Sequence, residues 1–198
     1  MRSVGGRPMK TFEEYLRLAC EDGLPRSGII LGTRMALLGL MELGLEDPEK
    51  VHDHLIVVVE TDRCLPDAVE LVTGCRLGNR KLKLRDMGKM AATMLDITSN
   101  QAIRLAARED ANQRALEMFP DLDKEEALGK AYCILSDDNL FTRKFVRLEL
   151  APEDMPGYQT PRVPCAKCGE SIAFGKQIIA GEGALCRSCA GEGYCQAL

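Results

Sequence analysis

The fold of the larger part of this chain is decided at Leu55-Ile56-Val57-Val58-Val59, a short run that is wholly apolar and mostly β-branched. Such a run predicts a strand that is buried on both faces. A polar segment, Glu60-Thr61-Asp62-Arg63-Cys64, follows at once. Because loops beside buried elements commonly carry function, we expect candidate functional residues directly after this strand.

Helical and strand patterns extend outward from this strand on both sides. A capping box of Thr11 and Glu14 opens a first helix, which ends before Gly23 and Pro25. Further helices are predicted at 27–43, 67–73, 109–118 and 124–135, and further strands at 81–85, 91–97, 102–107 and 141–150. Helices and strands are mixed without a strict βαβ rhythm, so the predicted fold class is α+β.

A proline-rich segment interrupts these patterns near the C-terminus. Prolines stand at positions 152, 156, 161 and 164. Each proline removes a backbone donor and fixes φ, which predicts a stiff, extended linker rather than a packed element. The predicted domains are an α+β core at 1–150, a linker at 151–164 and a small module at 165–198.

The small module contains two cysteine pairs at a spacing typical of metal sites. Cys165 and Cys168 form the first pair, 17 residues follow, and Cys186 and Cys189 form the second. Zinc takes four thiolates tetrahedrally at about 2.3 Å, and two cysteines three positions apart in a tight turn can point at one ion. We therefore predict one structural zinc per chain, with no ligand position left open for catalysis.

The predicted zinc module resembles the treble-clef and zinc-ribbon modules. Segments 171–174 and 177–180 are predicted to form a hairpin around Gly175-Lys176, and the second cysteine pair to begin a short helix or turn. The alternative is two disulfides or four idle thiols. So short a segment cannot bury enough apolar surface to fold alone, which favours metal ligation. Cys195 fits no ligand position.

Composition argues against several classes of function. The net charge is −4, and the segment 162–198 carries only about +1, so charge does not support nucleic-acid binding. The most apolar stretch, 28–44, is interrupted by Arg34 and Glu42, and no membrane span is predicted. The N-terminus lacks a secretory signal, so the nine cysteines are interpreted as thiols of a cytoplasmic protein.

The polar segment after the central strand allows two interpretations. Cys64, flanked by Asp62 and Asp67, could form a divalent-metal site in the core. Alternatively, Cys64 is a small packed side chain and the acidic residues cap the following helix, which the residues themselves favour.

These motifs resemble the FmdE-like family, which takes its name from formylmethanofuran dehydrogenase. The pattern is E-x-D-x-C-x-x-D-A at 60–68, G-C-x-x-G at 74–78 and D-x-G-K at 86–89, with G-x-x-x-G-x-R-M-A at 28–36. The resemblance covers roughly residues 12–150. It implies an α+β core, a homodimer that can be intertwined, a metal-binding function, and in some members a C-terminal zinc finger. It also implies an operon context of molybdenum or tungsten enzymes of methanogenesis.

The chain departs from the family where metal ligands are expected. The family typically shows H-G-H-x-C-P-G before its glycine-containing helix, and here both histidines and the cysteine are replaced by Asp22, Leu24 and Arg26. Arg26 would oppose a cation. His52 and His54 lie on another segment and are interpreted as solvated loop residues.

Three functions follow from these observations. The first is a zinc-binding accessory or regulatory protein whose zinc finger mediates protein–protein interaction. The second is a metal-dependent enzyme or metal sensor that uses the core site around Cys64. No Ser–His or Cys–His pairing and no phosphate loop supports an enzyme. The third, transcription regulation through nucleic-acid binding by the finger, is weakened by the low charge.

Overall fold

The structure is a computed structural model that describes residues 9–181 and 183–195. The chain divides into two compact units between Leu148 and Glu149. The first unit combines helices with one sheet, which confirms the predicted α+β class. Its helices are α1 Phe12–Ala19, α2 Ser27–Glu42, α3 Pro48–His54, α4 Leu65–Thr73, α5 Asp110–Met118, α6 Lys124–Ile134 and α7 Asp137–Leu140.

A five-stranded sheet forms the centre of the first unit. Its strands are β1 Leu55–Val59, β2 Leu82–Leu84, β3 Ala91–Asp96, β4 Gln101–Ala107 and β5 Phe141–Val146, in the order β2-β1-β3-β4-β5. β1 runs parallel to β2 and antiparallel to β3, with Val57 opposite both Leu82 and Met94. Every residue of β1 is buried, as the apolar run predicts.

Helix α2 packs closely on this sheet and on α4 because glycines lie at its contacts. A Cβ atom on Gly32 would lie 2.7 Å from the Cβ atom of Ala68 in α4. A Cβ atom on Gly39 would lie 2.1 Å from the sulfur of Met94 in β3. Glycine at position 32, in the G-x-x-x-G motif, is therefore required by the close approach of α2 to α4, whereas at Gly39 the neighbouring atom belongs to a flexible side chain.

Charged side chains connect α2 to both ends of α6. Glu125 of α6 accepts hydrogen bonds from the backbone N–H (2.6 Å) and hydroxyl (3.0 Å) of Ser27. This carboxylate satisfies the amino end of α2, whose N-cap residue, Arg26, supplies no capping side chain. Arg34 donates to the carbonyl of Tyr132 at 3.0 Å and also to that of Leu135, near the carboxyl end of α6.

Sequence patterns located most elements but missed α3 and the short α7. The capping box of Thr11 and Glu14 is present. His52 and His54, interpreted as loop residues, lie instead in α3, a correction that the Asp47-Pro48 sequence before the histidines explains. Proline at a first helical position is preorganised for a helix. His52 is exposed, beside Asp53 at 3.0 Å.

The described part of the second unit contains two small hairpins, followed by a short helical turn. Its strands are β6 Val163–Pro164, β7 Ser171–Ile172, β8 Ile178–Ala180 and β9 Gly183–Leu185, and the turn is Ser188–Glu192. β6 pairs with β7, and β8 pairs with β9. The predicted hairpin around Gly175-Lys176 is therefore wrong, because each of its presumed strands pairs outward with a different neighbour.

The proline-rich segment belongs to the second unit. It includes a short helical turn at Pro152–Asp154, and β6 itself. Asp154 accepts an ion-paired hydrogen bond from Lys176 at 2.9 Å. Where the prolines predict an extended linker, this segment instead makes contacts with the cysteine module. No helix in the described part of the chain is long and apolar enough to cross a membrane.

Candidate functional site

The four cysteines of the second unit converge on one point. Cys165 and Cys168 lie in the turn between β6 and β7, and Cys186 and Cys189 lie where β9 leads into the final helical turn. Their four Sγ atoms all lie within 4.8 Å of one another. The knuckle of the first pair is closed by a hydrogen bond from the Gly169 N–H to the Cys165 carbonyl, and Gly169 takes the left-handed φ of 77°.

The spacing of these sulfur atoms fits a tetrahedral metal–thiolate site. Bonds of about 2.3 Å at tetrahedral angles place neighbouring sulfur atoms about 3.8 Å apart. The Sγ atoms of Cys168 and Cys186 are 3.9 Å apart. All nine cysteines are free thiols, so none of these four is in a disulfide. The cluster can therefore hold one metal ion.

Backbone hydrogen bonds prepare one thiol of the cluster for ionisation. The N–H groups of Cys168 and Cys186 lower the pKa of Cys165 to about 6, the second donating at 3.3 Å. The neighbouring Cys186 thiol, followed by burial, raises the pKa of Cys189 to about 12. Without a metal, close thiols cannot all ionise because their charges repel, whereas a cation at the centre removes that repulsion.

Little else holds the second unit together. Among its described residues, only Cys165 and Ile172 are buried. Two buried side chains contribute a few kcal/mol at about 25 cal/mol per Å², far less than the conformational entropy of ordering the unit. Along the chain, the module consists of a knuckle, a hairpin and a helical turn.

The first unit contains a cleft of about 980 Å³, here called the core cleft. β1 and β4 both run antiparallel to β3, so their carboxyl ends meet at the edge of the sheet where β3 begins. The cleft lies at this edge. It is lined by Thr61, Arg63 and Cys64 after β1, Gly88, Lys89 and Met90 before β3, Ala106 to Glu109 at the end of β4, and residues of α2, α5 and α6.

Glu60 connects the end of β1 to β4 and to the loop before β3, beside the core cleft. Its carboxylate makes a two-pronged ion pair with Arg104 of β4, with oxygen–nitrogen distances of 2.6 and 2.7 Å. This pairing lowers the pKa of Glu60. Its carbonyl accepts from the N–H groups of Met87 (2.9 Å) and Lys89 (3.1 Å), which fixes the loop before β3. Glu60, the first residue of the E-x-D-x-C motif, therefore has a structural role.

The three residues of the possible core metal site are not gathered together. Asp62 and Asp67 are exposed and do not line the core cleft. Cys64 lines the cleft where α4 meets α2, and a Cβ atom on Gly28 would lie 3.1 Å from its sulfur. Within residues 9–181 and 183–195, the four-cysteine cluster is the only group of three or more His, Cys, Asp or Glu side chains placed to share one ion.

The core cleft also brings together residues that share no sequence motif. Arg63, Arg108 and Tyr132 line it together, although they are far apart along the chain. Tyr132 donates a hydrogen bond to Asn112, which also lines the cleft. Only the folding of β1, β4 and α6 onto one sheet edge brings these side chains together, so no local spacing could have predicted the set.

Comparison with known proteins agrees with this architecture. A crystal structure of a tungsten formylmethanofuran dehydrogenase FmdE-like protein from Syntrophus aciditrophicus is 25% identical, with a TM-score of 0.63. The alignment covers 98% of this chain and 100% of that one. It therefore extends over both units.

A curated relative from Archaeoglobus fulgidus, described as a probable S-adenosyl-L-methionine-binding protein, is 29% identical over 187 residues. The match covers 84% of this chain and 49% of the relative, so the chain spans about half the length of that protein.

A family model matches the first unit of the chain. Residues 23–142 match the model of the family described as FmdE, Molybdenum formylmethanofuran dehydrogenase operon. The match lies entirely within the first unit and contains every residue that lines the core cleft. It confirms the resemblance seen in the sequence motifs. Because it covers more than half of the 198 residues, this chain belongs to the FmdE family.

Proposed function

We propose that this protein is a zinc-binding accessory or regulatory protein, with an FmdE core and a zinc finger that contacts a protein partner. The observation that carries the zinc assignment is the convergence of four Sγ atoms within 4.8 Å. Four thiolates in tetrahedral arrangement favour zinc over the hard cations, which prefer oxygen ligands. All four ligand positions are cysteines, so the ion would fold the module and leave no position for a reacting water.

An interaction role is supported by the surface of the second unit. Its described residues include Ile179, which is 71% exposed, and Tyr194, which is 96% exposed. Apolar and aromatic side chains of this kind are the usual anchors of protein interfaces. The low net charge of the module gives phosphate groups little to bind, so a protein partner is favoured over nucleic acid.

The zinc assignment is tested by elemental analysis of the purified full chain. We expect one zinc per chain in the wild type and in Cys64→Ser, and loss of the zinc in Cys186→Ser. Cys64→Ser is the matched control because Cys64 is the cysteine of the core motif. Retention of zinc in Cys186→Ser, or loss of half the metal in Cys64→Ser, would contradict the assignment.

We also propose that the protein forms a homodimer. The outer edge of β5 supports pairing between copies, because β5 is the last strand of the sheet and Phe145 on it is 60% exposed. Light scattering of the zinc-loaded chain at micromolar concentration should give twice the 21.8 kDa chain mass. A mass equal to one chain would refute the dimer while leaving the zinc assignment untouched.

A further inference from the structure

The core cleft is positively charged in an acidic protein. Four cations line it, and two carboxylates oppose them: Arg26, Arg63, Lys89 and Arg108 against Glu109 and Glu125. The lining therefore carries a net charge of about +2, whereas the whole chain carries −4. Gathering cations at one concave site costs free energy through mutual repulsion, and a bound anion removes that cost.

Among the described residues, the two carboxylates of the lining make no ion pair with these cations. Both oxygens of Glu125 are engaged by the backbone N–H and hydroxyl of Ser27. Arg108 is paired outside the lining, with Asp110 at 3.0 Å. Arg26 and Arg63 make no ion pair with any described part of the chain. Two guanidinium groups are thus left available to a ligand.

Guanidinium groups suit one chemical class of ligand. Their planar donors match carboxylate and phosphate oxygens in pairs, and such charge-assisted hydrogen bonds are among the strongest in proteins. Lys89 adds a compact cation, and the Glu60 carbonyl holds its backbone in place through a 3.1 Å hydrogen bond. The charged part of the cleft is therefore anchored to the end of β1.

The core cleft also has an apolar wall, beside the polar side chains of Ser27, Thr61 and Asn112. Leu31 of α2, Met90 before β3, and Leu128 and Tyr132 of α6 line it, and Leu31, Leu128 and Tyr132 are buried. Its volume of about 980 Å³ is at the upper end of the range for small-molecule sites. An inorganic ion alone would leave most of this space and apolar surface unused.

We infer that the core cleft binds a small organic anion that carries two or more negative charges beside an apolar or aromatic body. Arg26 and Arg63 pair with its anionic group, and the wall of Leu31, Leu128 and Tyr132 contacts its body. This site is separate from the four-cysteine cluster and does not depend on the metal assignment.

The charge of the cleft also discriminates among adenosine-containing ligands. S-adenosylmethionine, named for the Archaeoglobus fulgidus relative, carries two positive groups and one carboxylate. A lining of net positive charge should therefore prefer an adenosine ligand with several negative charges. ATP and S-adenosylmethionine share the adenosine body and differ in charge, so together they isolate the electrostatic part of recognition.

The inference is tested by calorimetric titration of the full zinc-loaded chain at low salt. The probes are ATP without magnesium for phosphate, naphthalene-2,6-dicarboxylate for carboxylate, and S-adenosylmethionine and adenosine as charge controls. We expect ATP, the dicarboxylate or both to bind at least about tenfold more tightly than either control, with affinity falling as salt rises. Binding of only one anionic probe identifies the anionic group.

Two variants and a matched control locate the binding. Arg26→Gln and Arg63→Gln should each weaken the binding of the preferred probe about tenfold or more. Arg17→Gln makes the same charge change on α1, away from the cleft, and should leave affinity unchanged. The inference is overturned if neither anionic probe binds at millimolar concentration, if S-adenosylmethionine binds more tightly than both, or if Arg17→Gln weakens binding as much as the cleft variants do.

Discussion

The two units of this protein use different physical means to hold their folds. The first unit surrounds β1 and β3 with buried apolar side chains and needs no cofactor to explain its packing. The second unit buries only Cys165 and Ile172 among its described residues, yet it brings four sulfur atoms within 4.8 Å. Burial of apolar surface stabilises one unit, and four bonds to an ion would stabilise the other. Each unit should therefore fail under a different perturbation.

The largest effect is expected from removal of the metal. Cys186→Ser, or chelation of the wild type, should unfold the second unit, because structural zinc supplies on the order of 10 kcal/mol of folding free energy. The first unit should keep its protection. Amide hydrogen exchange measured by mass spectrometry reports peptides 171–185 and 91–107 separately. Cys195→Ser is the control and should exchange like the wild type. If peptide 171–185 stays protected in Cys186→Ser, the second unit does not depend on a metal ion for its fold.

A smaller effect is expected from filling the contact between α2 and α4. In Gly32→Ala the new Cβ atom would lie 2.7 Å from the Cβ atom of Ala68. Neither atom is the end of a flexible chain, so the helices must separate, at a cost of about 1–3 kcal/mol. Urea unfolding of the first unit, followed by circular dichroism, measures this change.

The control for this substitution is another helical glycine. A Cβ atom on Gly129 would lie 3.5 Å from its nearest neighbour, Ile30, which is ordinary contact. Gly129→Ala should therefore leave the free energy of unfolding unchanged or raise it by up to about 1 kcal/mol, because glycine loses more backbone entropy on folding. Equal destabilisation by both substitutions would show that the close approach at Gly32 is not the cause.

The smallest effect concerns the ion pair beside the core cleft. The hydrogen bonds from Arg104 lower the pKa of Glu60 below its ordinary value of 4.5. A lowered folded pKa stabilises the protein above the unfolded pKa, and that stability is lost as pH falls through the folded pKa. Glu60→Gln should therefore destabilise the first unit by about 1 kcal/mol at neutral pH, since Arg104 is partly exposed to solvent.

The pH dependence separates this electrostatic effect from a packing effect. The difference between Glu60→Gln and the wild type should shrink as pH falls below 4.5, since the wild-type carboxyl then becomes protonated as well. Urea unfolding at a series of pH values measures it. If the difference in the free energy of unfolding stays constant through this range, the charge of Glu60 does not contribute to stability and the effect of the substitution is one of packing.

Local chemistry explains which sequence predictions succeeded. The helix after Thr11 is set by a capping box of adjacent residues, and the buried strand at 55–59 by five apolar side chains in a row. The hairpin expected around Gly175-Lys176 failed because turn residues show where a chain can bend but do not select which strands pair. β7 pairs with β6 across the first cysteine knuckle, whereas β8 pairs with β9, the next strand along the chain.

The two candidate sites also differ in how far local sequence predicts them. The sequence by itself determined which four cysteines form the cluster that could hold a metal ion, because each cysteine pair is local and has the spacing typical of metal sites. Only the tertiary structure decided that Asp62 and Asp67 lie outside the core cleft. It alone brought Arg26, Arg63 and Arg108 to the same sheet edge. Their sequence positions carry no shared spacing, since contacts between distant elements depend on how the whole chain packs.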